Sequence, residues 1–262
     1  MYPPITYLTD CSDTNARARL ATRVAALFGS SPVVLPLHGV EAAGLTLLDV
    51  LLATGRLGED GFPTVTLVNI APRDGRWPNG APFGWFRHGR HTVFTTYDPV
   101  LLDPVRRHLG VTSVQVTDAR TVLDAAGRWA AIGEPDAADV AATQFRSLWY
   151  LPLLAKWVLD DHPVPFTPTE LPAPHGPDGV RVALVDNFGN CKLTSTAADL
   201  GVVAGDRVAV GAVKVEYRDR LSDVPAGAAA VVTGSSGPGL LELVVNGGSA
   251  AAEFGLRAGD TV

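Results

Sequence analysis

Between Asp161 and Asp178 the chain reads DHPVPFTPTELPAPHGPD, with six prolines in eighteen residues. Proline fixes φ and removes an amide donor, so neither a regular helix nor a central strand runs through such a stretch. It predicts an extended linker at 161–178 between two domains, residues 1–160 and residues 179–262. A chain of 262 residues is long enough for that division.

The segments on either side have different periodicities. On the N-terminal side β-like and helix-like runs alternate. ITYLT reads as a strand; Ser12, Asp13 or Thr14 can then cap a helix whose Leu20, Val24, Leu27 and Phe28 fall at helical spacing before Gly29. VVLPL, TVTLVNIA (64–71), HTVFTTY (91–97) and SVQVTD are strand-like, with helices at about 41–53 and 100–109 and a long one over 137–159 interrupted by Pro152. This alternation predicts an α/β domain with a mostly parallel sheet. On the C-terminal side VRVALVD, DRVAVG, AAAVVTG and LLELVVN are short runs between glycine turns, which predicts a smaller all-β domain. Two segments there echo each other, LGVVAGDRV (200–208) and FGLRAGDTV (254–262). They read as a reused turn-to-strand connection or as the turn of a peptide-binding module.

Composition excludes several classes of function. The net charge of −6 is spread without a Lys/Arg cluster, which argues against nucleic acid as a partner. No apolar run is long enough to cross a bilayer, and the first residues lack the pattern of a signal peptide, so no membrane association and a cytoplasmic location are expected. Cys11 and Cys191 lack paired spacing, and the histidines have no partners at metal-ligand spacing. No metal and no cofactor are expected.

Four polar clusters stand where strands end, the place at which open α/β sheets hold ligands. They are Thr9-Asp10, Asn69 with the loop APRDGRWPNG, Tyr97-Asp98, and VDNFGNCKLT (185–194). The loop RDGRWPNGAPFGWFRHGR also mixes arginines with Trp77, Phe83, Trp85 and Phe86; such a mixture can stack on a purine or bind an anion, or else fold as a lid or subunit contact.

In their order and spacing, YLTD, FPTVTLVNIAPRDGR, TQFRSLWYLPLLAKW, VDNFGNCKLT and GLLELVVNGGSAA make the chain resemble the S-adenosylmethionine (SAM) hydroxide adenosyltransferases and the related SAM-dependent fluorinases and chlorinases. The resemblance implies an α/β N-terminal domain, a barrel-like C-terminal domain, and a homotrimer with sites at subunit interfaces. It implies SAM as a nucleoside substrate. Asp10 matches the acid that grips the ribose hydroxyls, and Asp186 and Asn190 match the residues that hold the amino and carboxylate ends of methionine, with Phe188 and Gly189 shaping that turn. The turn GSSGPG, with Ser236, corresponds to one that approaches adenine. Trp77, Tyr97, Asp98 and Phe145 complete the substrate-binding candidates.

The chain departs from the hydrolytic pattern of an Asp, an Arg and a His. Asn69 stands in place of the Asp, Arg76 on the Arg, and Phe145 in place of the His. An amide and a phenyl ring take no proton from water at neutral pH. His38, after VVLPL, is the substitute base by position, so Arg76, Asn69 and His38 form the candidate catalytic set. Where the fluorinases keep a small residue in their halide pocket, this chain has Arg146. The expected reaction is cleavage of SAM at the ribose 5′ carbon, by hydrolysis to adenosine and L-methionine. Attack by a halide and binding without turnover are the alternatives.

Overall fold

A computed structural model describes residues 1–54, 61–71, 80–129, 136–173, 179–211 and 213–262. The chain forms two compact units, one of Met1–Ala43 and Ala53–Pro172, the other of Gly44–Leu52 and Ala173–Val262.

The first unit is built on a seven-stranded sheet. Strands β1 (Ile5–Thr9), β2 (Val33–Pro36), β3 (Val65–Asn69), β4 (Phe83–His88), β5 (His91–Thr96), β6 (Ser113–Thr117) and β7 (Thr167–Glu170) lie in the order β2-β1-β3-β5-β4-β6-β7. The pairs β1/β2, β1/β3 and β3/β5 are parallel. The pairs β4/β5, β4/β6 and β6/β7 are antiparallel. The expectation of a mostly parallel sheet is therefore corrected to a mixed one. The cause is β4, which comes from within the arginine-aromatic segment read as a loop; it turns back at Gly89 (φ 55°) and enters between β5 and β6. A second difference concerns the proline-rich stretch, where residues 167–170 form the edge strand β7. Pro168 is tolerated there because an edge position does not require its missing donor.

Helix α1 (Thr14–Phe28) follows β1 and is capped by Asp13, whose carboxylate accepts from Ala16 N at 2.9 Å. Leu20, Val24 and Phe28 point into the core, and Gly29 ends the helix in the left-handed conformation at φ 73°. Helices α2 (Val40–Leu52), α3 (Pro99–Leu109) and α4 (Ala119–Ala126) follow their strands. The expected long helix over 137–159 is instead three pieces, α5 (Ala137–Ala142), α6 (Arg146–Trp149) and α7 (Leu151–Leu159). Thr143 is extended and Phe145 is non-helical (φ −101°, ψ 52°), which breaks the run. Pro152 falls in the first turn of α7, where no intrahelical donor is lost. Helices α1, α4, α5, α6 and α7 and the sheet enclose Tyr7, Leu67, Phe94, Leu154 and Trp157 in one core.

The second unit is a curled half-barrel of six strands. They are β8 (Val182–Val185), β9 (Cys191–Thr196), β10 (Arg207–Val210), β11 (Val213–Arg218), β12 (Ala229–Thr233) and β13 (Leu240–Val245), in the order β10-β11-β12-β13-β9-β8. Only β11/β12 is parallel. Alternation along β13 sends Leu241 and Leu243 to one apolar cluster and Val244 to another, so both faces of this strand are covered. Two short helices, α8 (Ala197–Leu200) and α9 (Ala250–Phe254), lead into the echoed segments. Each ends at a left-handed glycine, Gly201 or Gly255, and each is followed by an aspartate accepting from the amide three residues earlier: Asp206 from Val203 N at 2.8 Å, Asp260 from Arg257 N at 2.7 Å. The echo is a reused turn.

Candidate functional site

Parallel pairing of β1 with β3 and of β3 with β5 brings the carboxyl ends of three strands side by side. Asp10 follows β1, Asn69 ends β3 and Thr96 ends β5. Asp10 N donates to Asn69 O at 3.1 Å, extending the ladder by one bond past the strand. This leaves the Asp10 side chain at the lip of the sheet. Its Oδ2 accepts from Ala71 N at 2.8 Å and its Oδ1 from Asn69 Nδ2 at 3.2 Å. Oδ1 also receives the Cys11 thiol at 3.9 Å, so the oxygen with open acceptor capacity is Oδ2.

Asp10 and Asn69 line a cleft of about 290 Å³. Cys11, Ile70, Ala71 and Thr96 line the sheet side, Gly80, Ala81 and Phe83 the approach to β4, and Gln144, Phe145, Arg146 and Ser147 the start of α6. Asn69 is buried, and besides Asp10 its amide meets Cys11 Sγ at 3.8 Å. Burial pushes the Cys11 thiol above its ordinary pKa. Beneath the cleft the fully buried Tyr7 hydroxyl donates to Ser147 O at 2.5 Å; burial, with the nearby Cys11 and Asp10, raises its pKa well above the ordinary tyrosine value. Phe145 presents its ring to Arg19, whose guanidinium carbon is 5.0 Å from the ring centre. Arg146 Nη2 donates to Ala81 O at 2.8 Å, and its guanidinium lies 5.5 Å from the centre of the Phe83 ring. Burial lowers its pKa from the usual arginine value.

Of the sequence candidates, Asp10, Asn69 and Phe145 come together in this cleft. Three others in the same unit do not line it. His38 is exposed after β2. Tyr97 lies one residue past β5, and strand alternation turns the preceding Thr96 to the cleft instead. Asp98 is buried as the N-cap of α3, accepting from Val100 N at 2.8 Å and Leu101 N at 3.2 Å. Arg76 and Trp77 lie outside the described residues. Cys11, Thr96, Gln144 and Ser147 were not singled out from sequence. Cys11 and Ser147 adjoin residues that were, and adjacency to a strand-end acid or to a helix break is the signal that could have found them.

The remaining candidates belong to the second unit. Asp186 organises the turn between β8 and β9: Oδ1 accepts from Phe188 N and Asn190 N, both at 2.9 Å, and Oδ2 accepts from Asn190 Nδ2 at 3.1 Å. The turn holds Phe188 out at 71% exposure. Gly189 sits at φ 82°, and a Cβ there would come 2.0 Å from Ser249 Oγ. Its carbonyl accepts from Ala251 N at 2.9 Å, which ties the turn to α9. Ser236 is buried in the GSSGPG turn, where Gly237 N donates to Asp49 Oδ1 at 2.6 Å. Among the described residues no group of three or more His, Cys, Asp or Glu side chains is placed to hold a metal ion, and no helix is long and apolar enough to cross a membrane.

Comparison with known proteins places this geometry. No curated protein matches the chain. An uncharacterized conserved protein from Thermotoga maritima has the same fold, with a TM-score of 0.69 at 19% identity over 98% of this chain and 97% of that one. A conserved hypothetical protein from Thermus thermophilus is similar at a TM-score of 0.60 and 23% identity, over 98% and 97% of the two chains. Residues 180–262 match the SAM hydroxide adenosyltransferase C-terminal domain. The matched segment carries the Asp186–Asn190 turn, so in that part the chain is similar to the C-terminal domain of the SAM hydroxide adenosyltransferases.

Proposed function

We propose that this protein binds SAM and cleaves it at the ribose 5′ carbon by nucleophilic substitution, with water as nucleophile and adenosine and L-methionine as products. The observation that supports this reading is the Asp10 carboxylate at the cleft. It is held in place by Ala71 N and the Asn69 amide; Oδ2 has a lone pair left for a ribose hydroxyl, and Oδ1 can take a second one by displacing the weak Cys11 thiol contact at 3.9 Å. Water oxygen forms the bond to the 5′ carbon as the carbon–sulfur bond breaks. The electron pair goes to sulfur, which leaves as a neutral thioether and needs no general acid. Alignment and exclusion of bulk water then carry most of the acceleration.

In this reading the Asn69 carbonyl orients the attacking water, whose proton passes to solvent. Asp10 is the only carboxylate among the described lining residues and is engaged as a hydrogen-bond acceptor. Turnover is accordingly slow. Arg76 and Trp77 complete the substrate contacts, and in a cytoplasmic homotrimer the Asp186–Asn190 turn and Ser236 of a neighbouring copy receive the methionine and adenine ends. Phe188, exposed on that turn, suits such a role.

A second reading, binding without turnover, is favoured by the amide of Asn69 and the ring of Phe145 in the cleft where hydrolysis calls for proton-transfer groups. Incubation of the purified protein with SAM, with and without chloride, followed by chromatography of the nucleosides separates the possibilities. Adenosine supports hydrolysis, 5′-chloroadenosine supports a halide nucleophile, and calorimetric binding with intact SAM supports the second reading. Absence of binding overturns all three.

A further inference from the structure

Arg146 is the one cleft residue whose surroundings the reaction above leaves unexplained. Its side chain is half-buried and lines the cleft beside Gly80, Ala81 and Phe83. Four ion pairs are formed among the described residues, Arg107–Asp103, Lys156–Asp160, Lys192–Glu242 and Arg218–Glu216, and Arg146 belongs to none of them. Asp118, whose field reaches it, is committed to capping α4, accepting from Thr121 N and Thr121 Oγ1 at 2.8 Å each. A partly desolvated cation without an anionic partner is costly, and a guanidinium carries five donors, of which Ala81 O engages one group.

The surroundings also shape a seat for this group. Gly80 has φ 73°, and a Cβ there would stand 2.5 Å from Arg146 Nη2. The missing side chain leaves room for the guanidinium on one side, while the Phe83 ring supports its plane on the other. A planar fork held in this way matches the two oxygens of a carboxylate, as a lysine ammonium would not.

We propose that Arg146 is the oxyanion-binding residue of the cleft, taking a carboxylate or another small oxyanion through paired N–H···O bonds. The oxyanion has two possible sources, the carboxylate of the methionine half of SAM or a free anion bound beside the nucleoside. The proposal shares its cleft with the SAM reading but stands on the surroundings of Arg146.

The test uses formate and inorganic phosphate as probes on the full chain, followed by calorimetry and by the guanidinium Nε–H signal in 15N NMR. Formate or phosphate is expected to bind the wild type and to shift the Arg146 signal, which is assigned by its loss in Arg146→Gln. That variant is expected to weaken binding at least tenfold, and Arg146→Lys to restore only part of it. Displacement of formate by L-methionine, but not by its carboxylate-free alcohol, identifies the amino acid as the source. Retention of formate when SAM or methionine is added identifies a separate anion. Failure of both probes to bind the wild type, an unshifted Arg146 signal, or unchanged affinity in Arg146→Gln overturns the proposal. Adenosine binding is measured in parallel: formate bound through Arg146 without adenosine binding removes the nucleoside reading and leaves the oxyanion seat standing.

Discussion

The side-chain amide of Asn69 donates to Oδ1 of Asp10 at 3.2 Å, across the parallel pairing of β1 and β3. With an aspartate in place of Asn69 the two acids would repel at this distance, whereas the amide neutralises nothing and orients the acid it touches. Asn69 therefore fits a role in which Asp10 is a fixed acceptor.

Replacing Asp10 by alanine removes the acceptor for both Ala71 N and Asn69 Nδ2. Ala71 is exposed, so water can satisfy its amide, but leaving the buried Asn69 amide without this acceptor costs about 1–3 kcal/mol, and the urea midpoint of Asp10→Ala is expected to fall with an unchanged slope. Adenosine affinity, measured by calorimetry, is expected to drop more than tenfold. Full affinity in a folded variant would remove Asp10 from the nucleoside site.

The two thiols are expected to differ in reactivity. Burial pushes Cys191 up to about 11, and it is fully enclosed in the second unit; Cys11 is also raised by burial but lines the cleft. At pH 8 only about one thousandth of Cys191 is thiolate. Alkylation followed by peptide mass analysis should label Cys11 first and slowly, and Cys191 only in denaturant. Adenosine should protect Cys11, and equal labelling with and without it would place the nucleoside elsewhere.

Gly189→Ala places a methyl group 2.0 Å from Ser249 Oγ and 3.0 Å from Ser249 Cα, at a residue with φ 82°. The left-handed conformation alone costs a non-glycine residue about 1–2 kcal/mol, and overlap adds to it. A loss above about 2 kcal/mol is expected in chemical denaturation. Adding Ser249→Gly should recover the steric part, because glycine also serves at the cap of α9. No recovery would mean that the backbone conformation, and not the contact, sets the cost.

Thr121 N and Oγ1 hold Asp118 below the ordinary carboxylate range. A depressed carboxylate stabilises the fold above its unfolded pKa, and that contribution is lost as pH falls through the folded value. Asp118→Asn keeps a competent cap without the titration. It is expected to match the wild type at pH 7 within about 0.5 kcal/mol, and to lose less stability below about pH 4. Parallel acid curves for the two proteins would show that the Asp118 cap makes no contribution to the acid limb.

Much of this arrangement is legible in the residues themselves. Asp13 and Gly29 bound α1 where the capping pattern predicts, and the apolar spacing of Leu20, Val24 and Phe28 matches their burial. The polar ends of β1 and β3 come together because parallel strands align their carboxyl ends. Less legible is the choice between neighbours. Thr96 and Tyr97 are adjacent, and only the pleat decides that Thr96 faces the cleft. Asp98 and Asp10 both follow strands, yet one is consumed as a helix cap and the other stands at the lip of the sheet.

Local periodicity and turn chemistry, carried by the sequence alone, determined that this chain has an α/β part and a β part, where its first helix starts and stops, and that an Asp-x-x-Gly-Asn turn joins β8 to β9. These depend on interactions within a few residues. Tertiary structure alone decided that β4 inserts antiparallel between β5 and β6, and that the helix read over 137–159 breaks at Phe145 so that Arg146 enters the cleft. Both depend on which distant surfaces a segment buries, and a segment's own pattern is compatible with more than one such partner.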